Sequence, residues 1–147
     1  MKTARTPKQK ISNQRKGKSS EHQFFGMLLE QGFEVYIPLA DDKGVDALVR
    51  LSSRKFAEVQ IKGRWLDAQL SSTFAAITYI PGRPGYWFAF HTWDKGKDVW
   101  HLVTGKEFES IARQEKKGTW AISVKKNREA LAHCVLGPKR WKQFSKG

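Results

Sequence analysis

The sequence predicts an α/β domain in which a mixed β-sheet is flanked by helices. Three observations support this: an early helix with an apolar face, two adjacent strands within residues 44–62, and later strands interleaved with two more helices. The length of 147 residues and the 39% hydrophobic content suit one globular domain. We expect that domain at 19–137, with a basic disordered arm at 1–18 and a basic tail at 138–147.

The elements follow from local signals along the chain. Ser19 or Ser20 can cap a helix that starts near Glu21, buries one apolar face and ends at Gly32. A loop or short helix is expected at 64–73. Strands separated by turns are predicted at 33–38, 45–51, 56–61, 74–80, 86–91, 99–103 and 120–124.

Two further helices carry capping signals. Thr104 with Glu107 has the form of a capping box, which predicts a helix to about Gln114. Asn127 can cap a final helix that runs through Val135 and closes at Gly137.

The composition excludes several classes of protein. No run approaches the roughly 18 apolar residues needed to span a bilayer, and the basic N-terminus has no apolar stretch after it, so neither a membrane span nor a secretory signal is expected. The single Cys134 excludes a disulfide framework and a cysteine-rich zinc site, which fits a cytoplasmic protein. Cys134 beside His133 could be a nucleophile, but the sequence favours a small core residue at this position.

The formal net charge of +13 is concentrated at the two ends. Residues 1–18 hold seven lysines and arginines and no acid, and residues 125–147 hold seven against Glu129, so the stretch 19–124 is neutral. Two basic ends on a neutral body favour binding to a phosphate backbone, because each neutralised phosphate releases counterions. Solubilising tails are the alternative.

Polar residues in 44–62 exceed what a structural hairpin needs. Side chains alternate along a strand, so Glu58, Gln60 and Lys62 share one face, and Asp46 on the preceding strand can meet Gln60 and Lys62. Together, an acid, a carbonyl oxygen and an ammonium could hold a divalent metal and a phosphate. Glu58 with Gln60 is the competing pair, but it leaves Lys62 without a role.

The stretches GVDALVRL and FAEVQIKGR resemble the PD-(D/E)xK nuclease superfamily, which includes restriction endonucleases and archaeal Holliday-junction resolvases. The flanking segments KGKSSEHQFFGMLLEQGFEVYIP and YWFAFHTWDKGKDVWHLVTGKEF extend the resemblance from about residue 17 to 108. It is closer still to the subgroup in which glutamine replaces the glutamate of the last motif. The resemblance implies a restriction-endonuclease-like fold and a Mg²⁺-dependent DNA endonuclease, with Mn²⁺ as a substitute metal.

The resemblance also implies roles for individual residues. The active site would consist of Glu21, Asp46, Gln60 and Lys62. Asp46 would be the central metal ligand, Gln60 a weaker ligand, and Glu21 a ligand directly or through water. Lys62 would orient or activate the attacking water.

Two departures from the family pattern keep an alternative open. Val45 stands where the family has proline, and Gln60 removes a negative charge from the metal site. A catalytically inactive protein that binds DNA or RNA is therefore the alternative function. Glu58 is a candidate to restore the charge, and a solvent-facing residue paired with Arg50 or Arg54 is its other interpretation.

The expected partner is DNA. The charge pattern fits RNA as well, because lysines and arginines at the ends would contact only phosphates, which both nucleic acids have. A homodimer is expected if both strands are cut. In KRWKQF, Trp141 and Phe144 alternate with cations, so base stacking and docking onto the body are equally favoured. The predicted nucleic-acid-binding residues are Lys10, Arg15, Lys16, Lys18, Arg64, Lys139, Arg140, Trp141 and Lys142.

Overall fold

The computed structural model describes residues 11–40, 44–66, 73–94, 96–116 and 118–147. These ranges form three helices, eight strands and a short 3₁₀ turn. In chain order they are α1 (Asn13–Glu30), β1 (Glu34–Tyr36), β2 (Ala47–Ser52), β3 (Lys55–Leu66), β4 (Thr73–Thr78), β5 (Tyr86–Asp94), β6 (Lys97–Thr104), α2 (Gly105–Ile111), β7 (Arg113–Gln114), β8 (Thr119–Ser123), the 3₁₀ turn (Ala132–Cys134) and α3 (Pro138–Lys146).

The strands form two sheets. The larger has the order β1-β2-β3-β5-β6, in which β3 and β5 are parallel and the other neighbours are antiparallel. The smaller has the order β4-β8-β7 and is antiparallel. The predicted fold class, a mixed sheet flanked by helices, is confirmed.

The two faces of the larger sheet bury separate apolar cores. One face packs against α1 and α3 through residues that include Phe24, Val59 and Phe144. The other packs against the smaller sheet and α2 through residues that include Phe88 and Phe108. Because side chains alternate along β3, its apolar residues point to α1, whereas Glu58, Gln60 and Lys62 point to the second face.

Helix α1 begins earlier than predicted. Its N-cap is Ser12, whose hydroxyl accepts the Arg15 N–H at 3.3 Å, so the predicted start near Glu21 is wrong. These first turns could not be predicted, because residues 13–19 carry no apolar face. Ser20, a predicted cap, is instead fully buried.

The C-terminal helix also lies elsewhere than predicted. Residues 125–131 form turns before the 3₁₀ turn, so the helix predicted from Asn127 to Val135 is wrong. Helix α3 begins at Pro138, where a proline has no N–H to leave unpaired. Trp141 and Phe144 then pack on the body, which is the docking alternative of the two that the sequence left open.

The Thr104–Glu107 capping box is present as predicted. The Glu107 N–H donates to Thr104 Oγ1 at 3.0 Å, and the Thr104 N–H donates to Glu107 Oε1 at 2.9 Å. Helix α2 ends at Ile111 rather than at Gln114, because residues 113–114 pair with β8. Strand β3 continues to Leu66, so a loop from 64 is wrong, while 67–72 lie outside the described residues.

Among the described residues, no helix is both long and apolar enough to cross a membrane.

Candidate active site

The β2–β3 hairpin brings Asp46 beside Gln60. The Asp46 N–H donates to the Val59 carbonyl at 2.9 Å, immediately before the strands pair in full. Asp46 Oδ2 accepts the backbone N–H of Ile61 at 2.6 Å. A backbone donor therefore fixes this carboxylate against the strand segment that carries Gln60, and the predicted juxtaposition is present.

Gln60 is a buried glutamine whose side-chain carbonyl lacks a partner. The residue is 4% exposed, and no described residue donates a hydrogen bond to Oε1. Burying an acceptor without a hydrogen bond costs about 1–3 kcal/mol. An unpartnered oxygen of this kind is an observation in favour of a ligand at this position.

Gly44 allows the chain to pass closely over Gln60. It has φ of +67°, and a Cβ at this position would lie 2.9 Å from Gln60 Nε2. The Tyr86 hydroxyl donates to the Gly44 carbonyl, and burial raises the pKa of that hydroxyl, so it stays a donor. Both contacts fix the backbone just before Asp46.

Lys62 follows Gln60 on the same face of β3. Its side chain is half-buried and forms no hydrogen bond or ion pair with any residue that the structure describes. A partly desolvated ammonium without a counter-ion is a binding group for an anion such as a phosphate.

Glu21 lies in the middle of α1, close to the strand segment that follows Lys62. The neighbouring Ser20 touches Gly63, where an added Cβ would be 2.0 Å from Ser20 Oγ. The Glu21 carboxylate is paired with Lys18 Nζ at 3.0 Å. The structure thus brings the helix to the site but gives Glu21 a partner on its own helix.

Glu58 pairs with a residue that neither sequence alternative named. Arg83 Nε lies 2.7 Å from Glu58 Oε2, whereas Arg50 pairs with Glu34 at 3.0 Å. Pairing of Glu58 with Arg50 or Arg54 is therefore wrong. Because Arg83 neutralises Glu58, the charge missing at Gln60 is not simply restored by this residue.

The donors present fit a hard cation. Mg²⁺ prefers oxygen ligands and is commonly held by one or two carboxylates together with waters and substrate phosphates. Asp46 offers a carboxylate, and Gln60 offers the unpartnered carbonyl. The hairpin therefore carries oxygen donors of the chemical types that such an ion accepts.

A second group of ligand-type side chains lies elsewhere, at Glu107, His133 and Cys134. Their ligand atoms lie within 4.8 Å of one another, and within the described ranges this is the single such group of three or more His, Cys, Asp or Glu residues. Arg140 already donates to Glu107, and burial raises the pKa of Cys134 to about 12. A cation in the cluster and a protonated thiol disfavour both a metal site and a cysteine nucleophile.

The fold that carries the hairpin can be compared with known proteins. No protein-family model matches the sequence, and no curated protein matches it. One solved structure that matches is that of a bacterial homing endonuclease, I-Ssp6803I, with a TM-score of 0.54 and 17% sequence identity over 69% of this chain and 74% of that chain. The fold is similar to that of a homing endonuclease. At this identity the similarity establishes the fold alone.

Two residues predicted to bind nucleic acid are buried. Arg140 is 5% exposed and donates from Nε to the Leu102 carbonyl at 2.8 Å, and Trp141 stacks on Phe24 with ring centroids 5.9 Å apart. Both predictions are therefore wrong. Of the others, Arg15, Lys18, Lys139 and Lys142 are exposed, Lys16 and Arg64 are half-buried, and Lys10 lies outside the described residues.

The sequence did not predict the polar chain that fixes α1 to the sheet. Ser20 Oγ lies 2.8 Å from His91 Nδ1, and His91 Nε2 lies 2.6 Å from Asp98 Oδ1. The three residue types resemble a hydrolase triad, but Ser20 is fully buried and cannot reach a substrate. The sequence contains one indication of this contact, which is Gly63 directly after Lys62. A residue without a side chain at position 63 leaves the space that Ser20 occupies.

Replacement of Gln60 by Leu is expected to raise the free energy of unfolding by about 1 kcal/mol in the absence of metal. The change removes a buried acceptor that has no partner and keeps a side chain of similar length. Urea denaturation in EDTA measures the effect.

Gln143→Leu is the matched control, because Gln143 Oε1 accepts from Arg140 Nη1 at 2.9 Å. That variant should lose stability. A loss in Gln60→Leu larger than that in Gln143→Leu would show that the Gln60 amide is hydrogen-bonded after all.

Proposed function

We propose that this protein is a Mg²⁺-dependent DNA endonuclease of the PD-(D/E)xK type, with glutamine in the last motif. The observation that carries the proposal is the grouping on one hairpin of the Asp46 carboxylate with the Gln60 carbonyl and the Lys62 ammonium, neither of which has a partner among the described residues. Similarity to the fold of a homing endonuclease supports the same function.

Each residue would contribute one element of phosphodiester hydrolysis. Asp46 and Gln60 would hold Mg²⁺, and Mn²⁺ suits the same oxygen donors. A metal held there would supply positive charge at the phosphate and would make water a better nucleophile near neutral pH. Lys62 would orient the attacking water through its N–H groups and stabilise the negative charge that develops on the phosphate oxygens.

Glu21 would act from the first helix. Its carboxylate would bind the metal through water, which requires it to exchange Lys18 for the new partner. Glu58 is excluded from this proposal because Arg83 neutralises it.

The charged ends would bind the phosphate backbone. Arg15 and Lys16 lie in the first turn of α1, and Lys139 and Lys142 are exposed on α3. Such contacts orient a nucleic acid without reading its sequence, and they act on RNA as well as on DNA. Cutting both strands would require two active sites and hence a homodimer.

A catalytically inactive DNA-binding protein is the second candidate. The observation in its favour is that Gln60 is neutral while Glu58 and Glu21 both have cationic partners. Such a site would have a low affinity for Mg²⁺, whereas the basic ends would bind DNA without it.

The test is cleavage of supercoiled, linear and branched DNA in Mg²⁺ or in EDTA. The endonuclease should cut at least one substrate in Mg²⁺ only, and Asp46→Asn should lower the rate by at least about 100-fold. Glu30→Gln, at the exposed end of α1, is the matched control and should cut normally. DNA binding without cleavage of any substrate, unchanged in Asp46→Asn, would establish the binding protein instead.

A further inference from the structure

A cavity opens on the sheet face that carries Lys62. Its volume is about 290 Å³, and the turn after β8 and the segment after the 3₁₀ turn enclose it against β5 and β6. Its walls are apolar and its rim is basic. The lining residues used below are Val99, His101, Val124, Lys125, Arg128 and Val135.

His101 provides a buried polar group without a partner in this cavity. The residue is 5% exposed, and no described residue forms a hydrogen bond with Nδ1. Burial lowers the pKa of His101 to about 4, so the ring is neutral near pH 7. A neutral ring nitrogen in an apolar cavity favours a hydrogen bond to a neutral polar ligand group rather than to an anion.

The rim provides positive charge. Lys125 and Arg128 are both exposed, and neither forms an ion pair with a described residue. Val99 and Val135 are 37% and 46% exposed, so apolar wall is open to solvent beside these cations. A ligand with a flat, mainly apolar ring that bears polar edge atoms and an attached phosphate matches all three features.

Strand register places this cavity on the same sheet face as the candidate active site. Lys62 pairs with Phe90, and Phe90 pairs with His101 on the next strand. Side chains in register on neighbouring strands share a face, and strands lie about 4.8 Å apart, so the Lys62 and His101 Cα atoms are about 10 Å apart. Lys62 and His101 thus lie on the same face of the larger sheet, two strands apart, with the buried Phe90 between them.

We propose that this cavity binds one unstacked nucleotide, with the base against the valines and His101 and the phosphate on Lys125 and Arg128. As a site on a nucleic-acid substrate it rests on the proposed function. Binding of a free mononucleotide can be measured without any cleavage.

The experiment titrates the full chain with a 2′-deoxynucleoside 5′-monophosphate, with deoxyribose 5-phosphate and with inorganic phosphate, while NMR follows the His101 imidazole. The mononucleotide should shift the His101 signals and bind at least about tenfold more tightly than the other two probes. Equal affinity for all three, or no shift of His101, would overturn the proposal.

Two variants separate the parts of the pocket. His101→Phe should weaken binding of the mononucleotide and leave inorganic phosphate unaffected. The double variant Lys125→Ala/Arg128→Ala should weaken both by about tenfold. The exposed pair Arg113→Ala/Lys116→Ala is the control and should change neither.

The outcome is separable from that of the proposed function. Asp46→Asn, which removes the metal ligand, should bind the mononucleotide as the wild type does. Mg²⁺-dependent DNA cleavage by a protein that binds no mononucleotide would overturn the pocket and leave the endonuclease standing.

Discussion

Replacement of Lys62 by Met is expected to lower the rate of Mg²⁺-dependent DNA cleavage by roughly 10²–10⁴-fold. Lys62 has no counter-ion among the described residues, so under the proposed function its ammonium would be available to the substrate. Met keeps the length and the apolar stem of lysine and removes only the charge and the donors. Single-turnover cleavage with saturating protein measures the chemical step.

Lys62→Met is also expected to change the stability of the protein very little. Lys62→Met should alter the free energy of unfolding by less than about 0.5 kcal/mol, because no ion pair is lost. Lys116→Met, an exposed lysine in the turn between β7 and β8, is the matched control for cleavage. If Lys62→Met cut DNA at the wild-type rate, the catalytic assignment of this hairpin would be wrong.

Replacement of Arg140 by Leu should lower the free energy of unfolding by about 3–5 kcal/mol. The buried guanidinium donates to the Glu107 carboxylate, to the Leu102 carbonyl at 2.8 Å and to Gln143 at 2.9 Å. Its removal leaves the Glu107 charge without its main counter-ion in a partly buried site. Urea denaturation at pH 7 measures the loss.

The pH dependence of stability tests whether the loss in Arg140→Leu comes from the unpaired Glu107 carboxylate. Burial alone would raise the pKa of Glu107, but hydrogen bonds from Thr104 and His133 and the charge of Arg140 lower it to about 2. In the wild type this stabilisation is present above pH 4.5 and is lost as the pH falls towards 2. In Arg140→Leu the pKa should rise, so the variant should lose less stability over that interval.

Two controls accompany the arginine variant. Arg113→Leu, at an exposed arginine, should change stability by less than about 0.5 kcal/mol. Adding Glu107→Leu to Arg140→Leu should recover part of the loss, because no buried charge then stays unpaired. A double variant as unstable as the sum of the two single variants would show that the residues are not coupled.

Local patterns predicted the parts of the fold that short segments determine. The β2–β3 hairpin has alternating apolar residues and a polar turn, and the Thr104 capping box needs only four consecutive residues. Helix α3 was missed because cations dominate its sequence. Its buried positions, Trp141 and Phe144, are three residues apart, but only the tertiary packing shows that they face a core.

The candidate site was also predicted only in part. The pairing of Asp46 with Gln60 follows from a hairpin that the sequence predicts. The partner of Glu58 does not, because Arg83 is brought to it by the parallel pairing of β3 with β5 across an intervening strand and turn. Tertiary contacts decide which acids are neutralised, and no local pattern specifies those contacts. The net negative charge of the candidate site therefore could not be predicted from the sequence.

The contact between Ser20 and Gly63 also fixes a distance. Because Gly63 has no side chain, Ser20 of α1 packs directly on the backbone of β3 next to Lys62. Asn13 lies seven residues before Ser20, which corresponds to about 10 Å along the helix axis. Under the proposed function, the length of helix α1 would therefore set the distance between a phosphate bound at its first turn and Lys62.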